Sequence, residues 1–206
     1  IGENGAGKST FIKILNGIHE PTEGKIFFEN EEIKNIDTEE AMKMGIHTIP
    51  QEFNLVNDLN VYENIFLGQE YKKKKIILDK EKMKKETKKL LNELEKDINP
   101  EAKIDELSVA QKQMVEIAKA VAYNSKLLIM DEPTRGIDVG TKSEIRDLIT
   151  NLSKEGFSII MISSEMLEVM AISDRILVMS QGELTGEFSH DEATENKIMK
   201  AAVEEN

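Results

Sequence analysis

Four short apolar runs, at residues 45–49, 126–130, 157–162 and 175–179, alternate with segments whose apolar positions recur at helical spacing, at 8–16, 141–154 and 165–171. A run apolar throughout fits a strand covered on both faces, and strands separated by helices predict βαβ units around a parallel sheet. Residues 25–28 and 183–188 read as antiparallel accessory strands, each near a Glu-Gly or Gln-Gly turn. From about 51 to 123 no run reads as a strand, whereas 60–67, 79–98 and 108–123 carry helical patterns. The expectation is an α/β core formed by residues 1–50 and 124–206, with a helical subdomain inserted at 51–123.

Composition narrows this only a little. The chain has 206 residues, 39% hydrophobic and 32% charged, enough for one sizeable core or a core with a small lobe. No stretch approaches the roughly 18 consecutive apolar residues of a bilayer span, and no signal-peptide pattern opens the chain. Cysteine is absent, which removes disulfides and thiolate metal sites and fits the cytoplasm. A net charge of -12 argues against broad nucleic-acid binding. The one basic stretch, Lys72 to Lys75 continued by lysines through Lys89, interleaves with glutamates, and Met83, Leu90, Leu91, Leu94 and Ile98 fall at roughly helical spacing. It therefore reads as a solvated helix face rather than a nucleic-acid or lipid patch. The first residue is Ile1 rather than methionine, so a processed product or a fragment is expected.

The strongest chemical signal is at the start. Gly2-Glu3-Asn4-Gly5-Ala6-Gly7-Lys8-Ser9, followed by Thr10, matches G-x-x-x-x-G-K-[ST]. Glycines let the backbone curl so that successive N–H groups point at phosphate oxygens. A helix beginning near Lys8 adds its positive end. Lys8 supplies a point charge for the β- and γ-phosphates of ATP, and the Ser9 hydroxyl is placed to ligate Mg2+. The strand that should precede such a loop is reduced here to Ile1. A second signal is the run from Lys126 that ends in Asp131-Glu132-Pro133-Thr134. Carboxylates at the C-terminal end of a parallel strand sit where α/β folds bind ligands. Asp131 is placed to hold Mg2+ through water, and Glu132 to orient or deprotonate an attacking water. A polar strand end turning at Pro133 is the alternative.

Two further segments carry a family resemblance. Leu107-Ser108-Val109-Ala110-Gln111 opens a helix whose apolar face runs through Met114, Ile117, Ala118 and Val121, and Gln51 follows a strand and a proline. In order with the phosphate loop, Asp131-Glu132 and Asp138, these resemble the signature motif, Q-loop and D-loop of ABC-transporter ATPases. Residues 2–25, 50–68, 107–120 and 131–140 look like ATPases of bacterial monosaccharide importers of the ribose and galactose type. The resemblance implies a P-loop NTPase core and Mg-ATP as ligand, with Gln51 contacting the metal and linking the nucleotide to the permease. It also implies a place on the cytoplasmic side of the bacterial plasma membrane, docked on a permease and fed by an extracytoplasmic sugar-binding protein. It implies a composite site too, in which the phosphate loop of one ATPase half faces the signature of a second half or a second copy. Ser108 at a helix N-terminus suits an anion. Ser-x-x-Gln is equally a capping box, so Ser108 and Gln111 can cap their own helix, and both roles can hold because the exposed N–H groups can still face a γ-phosphate. For Gln51 the alternative is an ordinary loop glutamine.

The sequence departs from that family in three places. The opening strands, with an aromatic that stacks on adenine, are not in the chain. Ser164 stands where most members have a histidine, and a hydroxyl lacks imidazole's charge and proton-transfer range; His19, His47 and His190 read as surface or structural. Val109 and Ala110 replace two signature glycines. Up to Thr134 the wording resembles the first ATPase half of these importers, and from Arg135 onward the second. We hypothesise an internal deletion joined at the shared Asp-Glu-Pro-Thr; an intact gene encoding both missing halves at that junction refutes it. Three functions follow: ATP hydrolysis driving sugar import, a half-site that binds nucleotide without turnover, or a soluble ABC ATPase of translation or repair.

Overall fold

The computed structural model describes residues 1–203 apart from 4, 35, 75, 95 and 124. Along the chain come α1 (Lys8–Leu15), β1 (Ile26–Phe28), β2 (Glu31–Ile33), α2 (Thr38–Met44), β3 (Ile46–Ile49) and α3 (Val61–Ile65). A small hairpin, β4 (Lys72–Lys73) and β5 (Ile77–Leu78), precedes α4 (Lys80–Glu93), a 3-10 turn at Ile104–Glu106 and α5 (Val109–Ala122). The last third holds β6 (Leu127–Asp131), α6 (Val139–Lys154), β7 (Ser158–Ile162), α7 (Met166–Ile172), β8 (Arg175–Ser180), β9 (Glu183–Ser189) and α8 (Glu195–Val203).

The central sheet is parallel, in the order β3-β6-β7. Its middle strand explains its apolar run. Leu128 and Met130 are fully buried against α3, α4, α5 and α6, in a cluster with Ile65, Leu91, Ile117, Ile145 and Leu152. Ile129 points the other way and is equally buried, packing with Ile12 of α1, Ala41 of α2, Ile46 and Ile162. Alternation across a strand covered on both faces produces this split. Each such side chain contributes about 1.5–3 kcal/mol of burial. A third cluster joins Val169, Ile176, Val178, Ile198 and Ala201 of α7, β8 and α8.

Expectation and structure differ in several places. The run at 175–179 forms β8, which pairs antiparallel with β9 rather than joining the parallel sheet. Its free edge takes Ile1, whose nitrogen donates to the Leu177 carbonyl at 2.8 Å and whose carbonyl accepts from Met179 N–H at 2.9 Å. The segment at 51–123, expected to lack strands, contains the β4–β5 hairpin, so Lys72 and Lys73 lie on a strand and not on a helix face. Three residues between two-residue strands leave no run long enough to show a period. The helix expected over 79–98 ends at Glu93, where Lys96 N–H turns back to the Leu91 carbonyl at 2.8 Å; Leu94 and Ile98 are buried beyond the helix. Three elements had no expectation at all: β2, α2 and α8. β2 is returned by a turn at Glu29 and Asn30, both at positive φ, as two-residue hairpins require. α2 carries a full capping box between Asp37 and Glu40. No helix among the described residues is long and apolar enough to cross a membrane.

Candidate functional site

The loop before α1 is built around glycine. Gly2 has φ 158°, and a Cβ there would lie 2.3 Å from the Met179 carbonyl oxygen, so only glycine lets the loop lie on β8. Gly7 is left-handed at φ 98° and forms the N-cap of α1. No side-chain hydrogen bond caps that helix, and its first turn carries no acidic residue. Among the described residues the first-turn N–H groups are therefore without a side-chain acceptor, which is the donor set an anion takes at a helix N-terminus. The Lys8 ammonium folds over the loop, donating to the carbonyls of Gly2 at 2.5 Å and Glu3 at 2.9 Å. Ala6 N–H closes the turn onto the Glu3 carbonyl at 3.1 Å, and Gly182 N–H of the β8–β9 turn donates to the Ala6 carbonyl at 3.2 Å. Gly5, Ser9 and Thr10 are exposed; Asn4 lies outside the described residues.

The C-terminal end of β6 faces this loop. Asp131 is partly buried, and its carboxyl is pushed above the usual aspartate range by burial first and by the Glu132 charge second; Lys8 opposes the shift. These three groups therefore share one electrostatic neighbourhood. Glu132 sits at φ 50°, a left-handed conformation costing a non-glycine residue about 1 kcal/mol. Its N–H donates to the Ile162 carbonyl at 2.7 Å, and its carboxylate accepts from the Ser164 hydroxyl at 3.1 Å. Ser164 thus touches the carboxylate that the sequence marked for water.

An aspartate whose folded pKa is raised costs stability once it ionises, so its unfavourable contribution grows as pH rises through the ordinary aspartate range. We expect Asp131→Asn to raise the melting midpoint by a few degrees at neutral pH. The gain should shrink as pH falls and Asp131 becomes protonated. Thermal scans across pH check this; a gain independent of pH would contradict it.

The remaining candidates are dispersed. Gln51 is exposed two residues past the end of β3, and no side-chain hydrogen bond holds it among the described residues. Asp138 caps α6, accepting from Thr141 N–H at 3.1 Å and its hydroxyl at 2.7 Å, which hold its carboxyl below the usual range. Ser108 caps α5: its hydroxyl accepts from Gln111 N–H at 3.2 Å, and its own N–H donates to Gln111 Oε1 at 3.0 Å. The capping alternative is thus the geometry present. Val109 is exposed, Leu107 and Ala110 half-buried. No hydrogen bond or ion pair joins residues 107–111 to the phosphate loop among the described residues.

Two buried carboxylates escaped sequence reasoning. Glu168 of α7 is 4% exposed, and one oxygen accepts from both the Thr134 hydroxyl at 2.8 Å and the Ser163 hydroxyl at 2.9 Å. It ties the turn after Glu132 to the residue before Ser164. Glu116 of α5 accepts from Asn54 N–H at 2.5 Å, while buried Asn64 brackets Val56 through both its N–H and carbonyl. The chain is thereby fixed three residues past Gln51, and burial raises the Glu116 pKa. No local pattern marks Glu168 or Glu116: Thr134 and Asn54, which they hold, are 34 and 62 residues away, and the Ser163–Glu168 spacing of five belongs to no capping motif. A groove of about 520 Å³ lined by Phe66, Tyr71, Leu90, Val121 and Phe157 includes none of the phosphate-loop residues.

A family model described as ABC transporter matches residues 1–135. The galactose/methyl galactoside import ATP-binding protein MglA of Clostridium perfringens (strain 13 / Type A) is 41% identical over 203 residues, covering 98% of this chain and 39% of the relative. The ribose import ATP-binding protein RbsA of Caldanaerobacter subterraneus subsp. tengcongensis is 42% identical over 203 residues, covering 98% and 41%. The chain thus spans about two fifths of the length of these curated relatives. Among solved structures, the ADP conformation of MJ1267, an ATP-binding cassette of an ABC transporter, is similar with TM-score 0.85 and 29% identity over 100% of this chain and 86% of that one. A dimeric post-hydrolysis state of the cassette MJ0796 bound to ADP and Pi gives TM-score 0.77 and 28% identity over 92% and 83%.

Proposed function

The chain belongs to the ABC transporter family, and from that premise we propose that it is an ATP-binding and hydrolysing segment of a monosaccharide importer. The observation that carries this is the curled Gly2–Lys8 loop, whose lysine acts electrostatically on Asp131 at the C-terminal end of a parallel strand. The residues suit a Mg-nucleotide: two loop glycines leave no room or conformation for a side chain, the α1 amides lack side-chain acceptors among the described residues, and the Lys8 charge is felt at Asp131. Ser9, Asp131 and Gln51 would hold Mg2+, which supplies charge neutralisation for the triphosphate when bound.

The remaining roles belong to the chain itself. Residues Gly2 to Thr10 bind phosphate oxygens through backbone amides, and Lys8 adds its charge. Glu132 accepts the proton of the attacking water and is steadied by Ser164. Leu107, Ser108, Val109, Ala110 and Gln111 present the α5 N-terminus to a nucleotide on a second ATPase half or a second copy, with Asp138 at the same junction. Residues 1–50 and 124–206 act as the ATPase core and 51–123 as the helical lobe. The relatives' names support sugar import; partners would be a membrane permease and, through it, an extracytoplasmic sugar-binding protein, on the cytoplasmic side of the membrane. A half-site that binds ATP without turnover is the second reading, favoured by Ser164 in the place of a histidine.

The assignment to transport is tested by partners. Tagged chain recovered from detergent-solubilised membranes of its source should bring down an integral membrane permease. Recovery with ribosomes in its place would return the soluble ATPase reading.

A further inference from the structure

The β4–β5 hairpin has no core of its own. All four of its strand residues are exposed, so neither face of this two-stranded sheet packs on the protein. Its outer half carries three consecutive aliphatic side chains: Ile76 is 85% exposed, Ile77 62% and Leu78 43%. Single exposed aliphatics are ordinary on a protein surface, but three in a row on a protruding hairpin are not explained by folding. The base, by contrast, is firmly made. Asp79 N–H donates to the Tyr71 carbonyl at 2.7 Å, Lys73 pairs with Asp79 at 3.1 Å, and Tyr71 packs between Phe66 and the Lys82 ammonium. An isolated two-stranded hairpin is marginal in water, so this base is what holds the apolar tip out.

Charge surrounds the tip. Lys72, Lys73 and Lys74 lead into it, and ten lysines against four carboxylates lie between Glu70 and Lys89 in a chain of net charge -12. Lys72 and Lys74 make no ion pair among the described residues, while Glu70 and Asp79 offset part of the local charge. Exposed aliphatic side chains next to lysines unpaired among the described residues, in the same hairpin, match an anionic bilayer surface, where lysines reach headgroups and branched aliphatics reach the acyl boundary. Single-stranded nucleic acid fits less well, since binding there relies on stacking aromatics and arginine, and the tip has neither.

We propose that the β4–β5 hairpin is a lipid-contacting finger, with Lys72 and Lys74 on anionic headgroups and Ile76, Ile77 and Leu78 inserted beneath them. This contact is separate from any permease and needs no nucleotide, so it stands or falls independently of the transport reading. It supplies a second tether that keeps the chain at the membrane.

The test uses the full chain and protein-free vesicles. The chain has no tryptophan, so Ile77→Trp places a single reporter on the tip. Its emission should shift to the blue with vesicles of phosphatidylcholine and phosphatidylglycerol, and not with phosphatidylcholine alone. In sedimentation, Lys72→Glu with Lys74→Glu should weaken binding to the anionic vesicles by about tenfold or more, and so should Ile76→Ser with Ile77→Ser. Binding should also fall as salt rises. The proposal is overturned if the indole stays in water, if neutral vesicles bind as well, or if either double variant binds the anionic vesicles as the unmodified chain does. It is also overturned if RNA is retained by the lysines with the isoleucine pair indifferent.

Discussion

Glu132→Gln is expected to lower ATP turnover by about 10²–10⁴-fold, the usual contribution of a positioned general base. The change is nearly isosteric, so the amide oxygen still accepts from the Ser164 hydroxyl and the backbone bond to Ile162 is untouched. What disappears is the carboxylate that follows the end of β6. Affinity for Mg-ATP should stay within roughly threefold, because the loop and α1 supply most phosphate contacts. Phosphate release under saturating ATP, together with equilibrium nucleotide binding, separates the two quantities. Turnover undiminished in the variant would remove Glu132 from the chemistry. Binding without turnover in the unmodified chain would establish the half-site reading. The left-handed backbone at Glu132 adds a reason to expect a role, since strain at a non-glycine residue is retained where the surroundings fix it.

Lys8→Ala is expected to weaken Mg-ATP binding by about 30–100-fold, the loss of one charge-assisted contact worth about 2–3 kcal/mol. The same ammonium bridges the Gly2 and Glu3 carbonyls, so part of the effect will come from a looser loop. A melting scan without nucleotide measures that part separately. Lys8→Arg should also bind poorly: a planar, branched guanidinium cannot replace a compact ammonium folded over two carbonyls. Unchanged affinity in Lys8→Ala would mean that the glycine loop does not hold the triphosphate, and the nucleotide reading would fall with it.

Much of this was legible because it is local. The phosphate loop lies within nine consecutive residues, and its glycines, lysine and following helix are all set by short-range geometry. The Ser108–Gln111 cap is a three-residue spacing and forms as such. The runs at 45–49, 126–130 and 157–162 announced strands, and these became β3, β6 and β7, the first two largely buried and β7 buried only at Ile162. Where reading failed, the elements were short. The strands of the Lys72–Leu78 hairpin have two residues each, and the lysine run invited a helix that begins only at Lys80. The run at 175–179 looked like its parallel neighbours because apolar residues signal burial, not the direction of a partner strand.

Which segments curl, cap or extend was written in short stretches of chain, since those choices depend on backbone sterics and hydrogen bonds within a few residues. Tertiary structure alone decided which of them meet. It brought Lys8 to Asp131, laid Gly2 on the Met179 carbonyl, and set Ser164 on Glu132 across 32 residues. It also buried Glu168 between Thr134 and Ser163, and left Ile76 and Ile77 in solvent. Those outcomes follow from how the faces of the sheet and helices pack, and packing is a property of the whole core that no local spacing encodes.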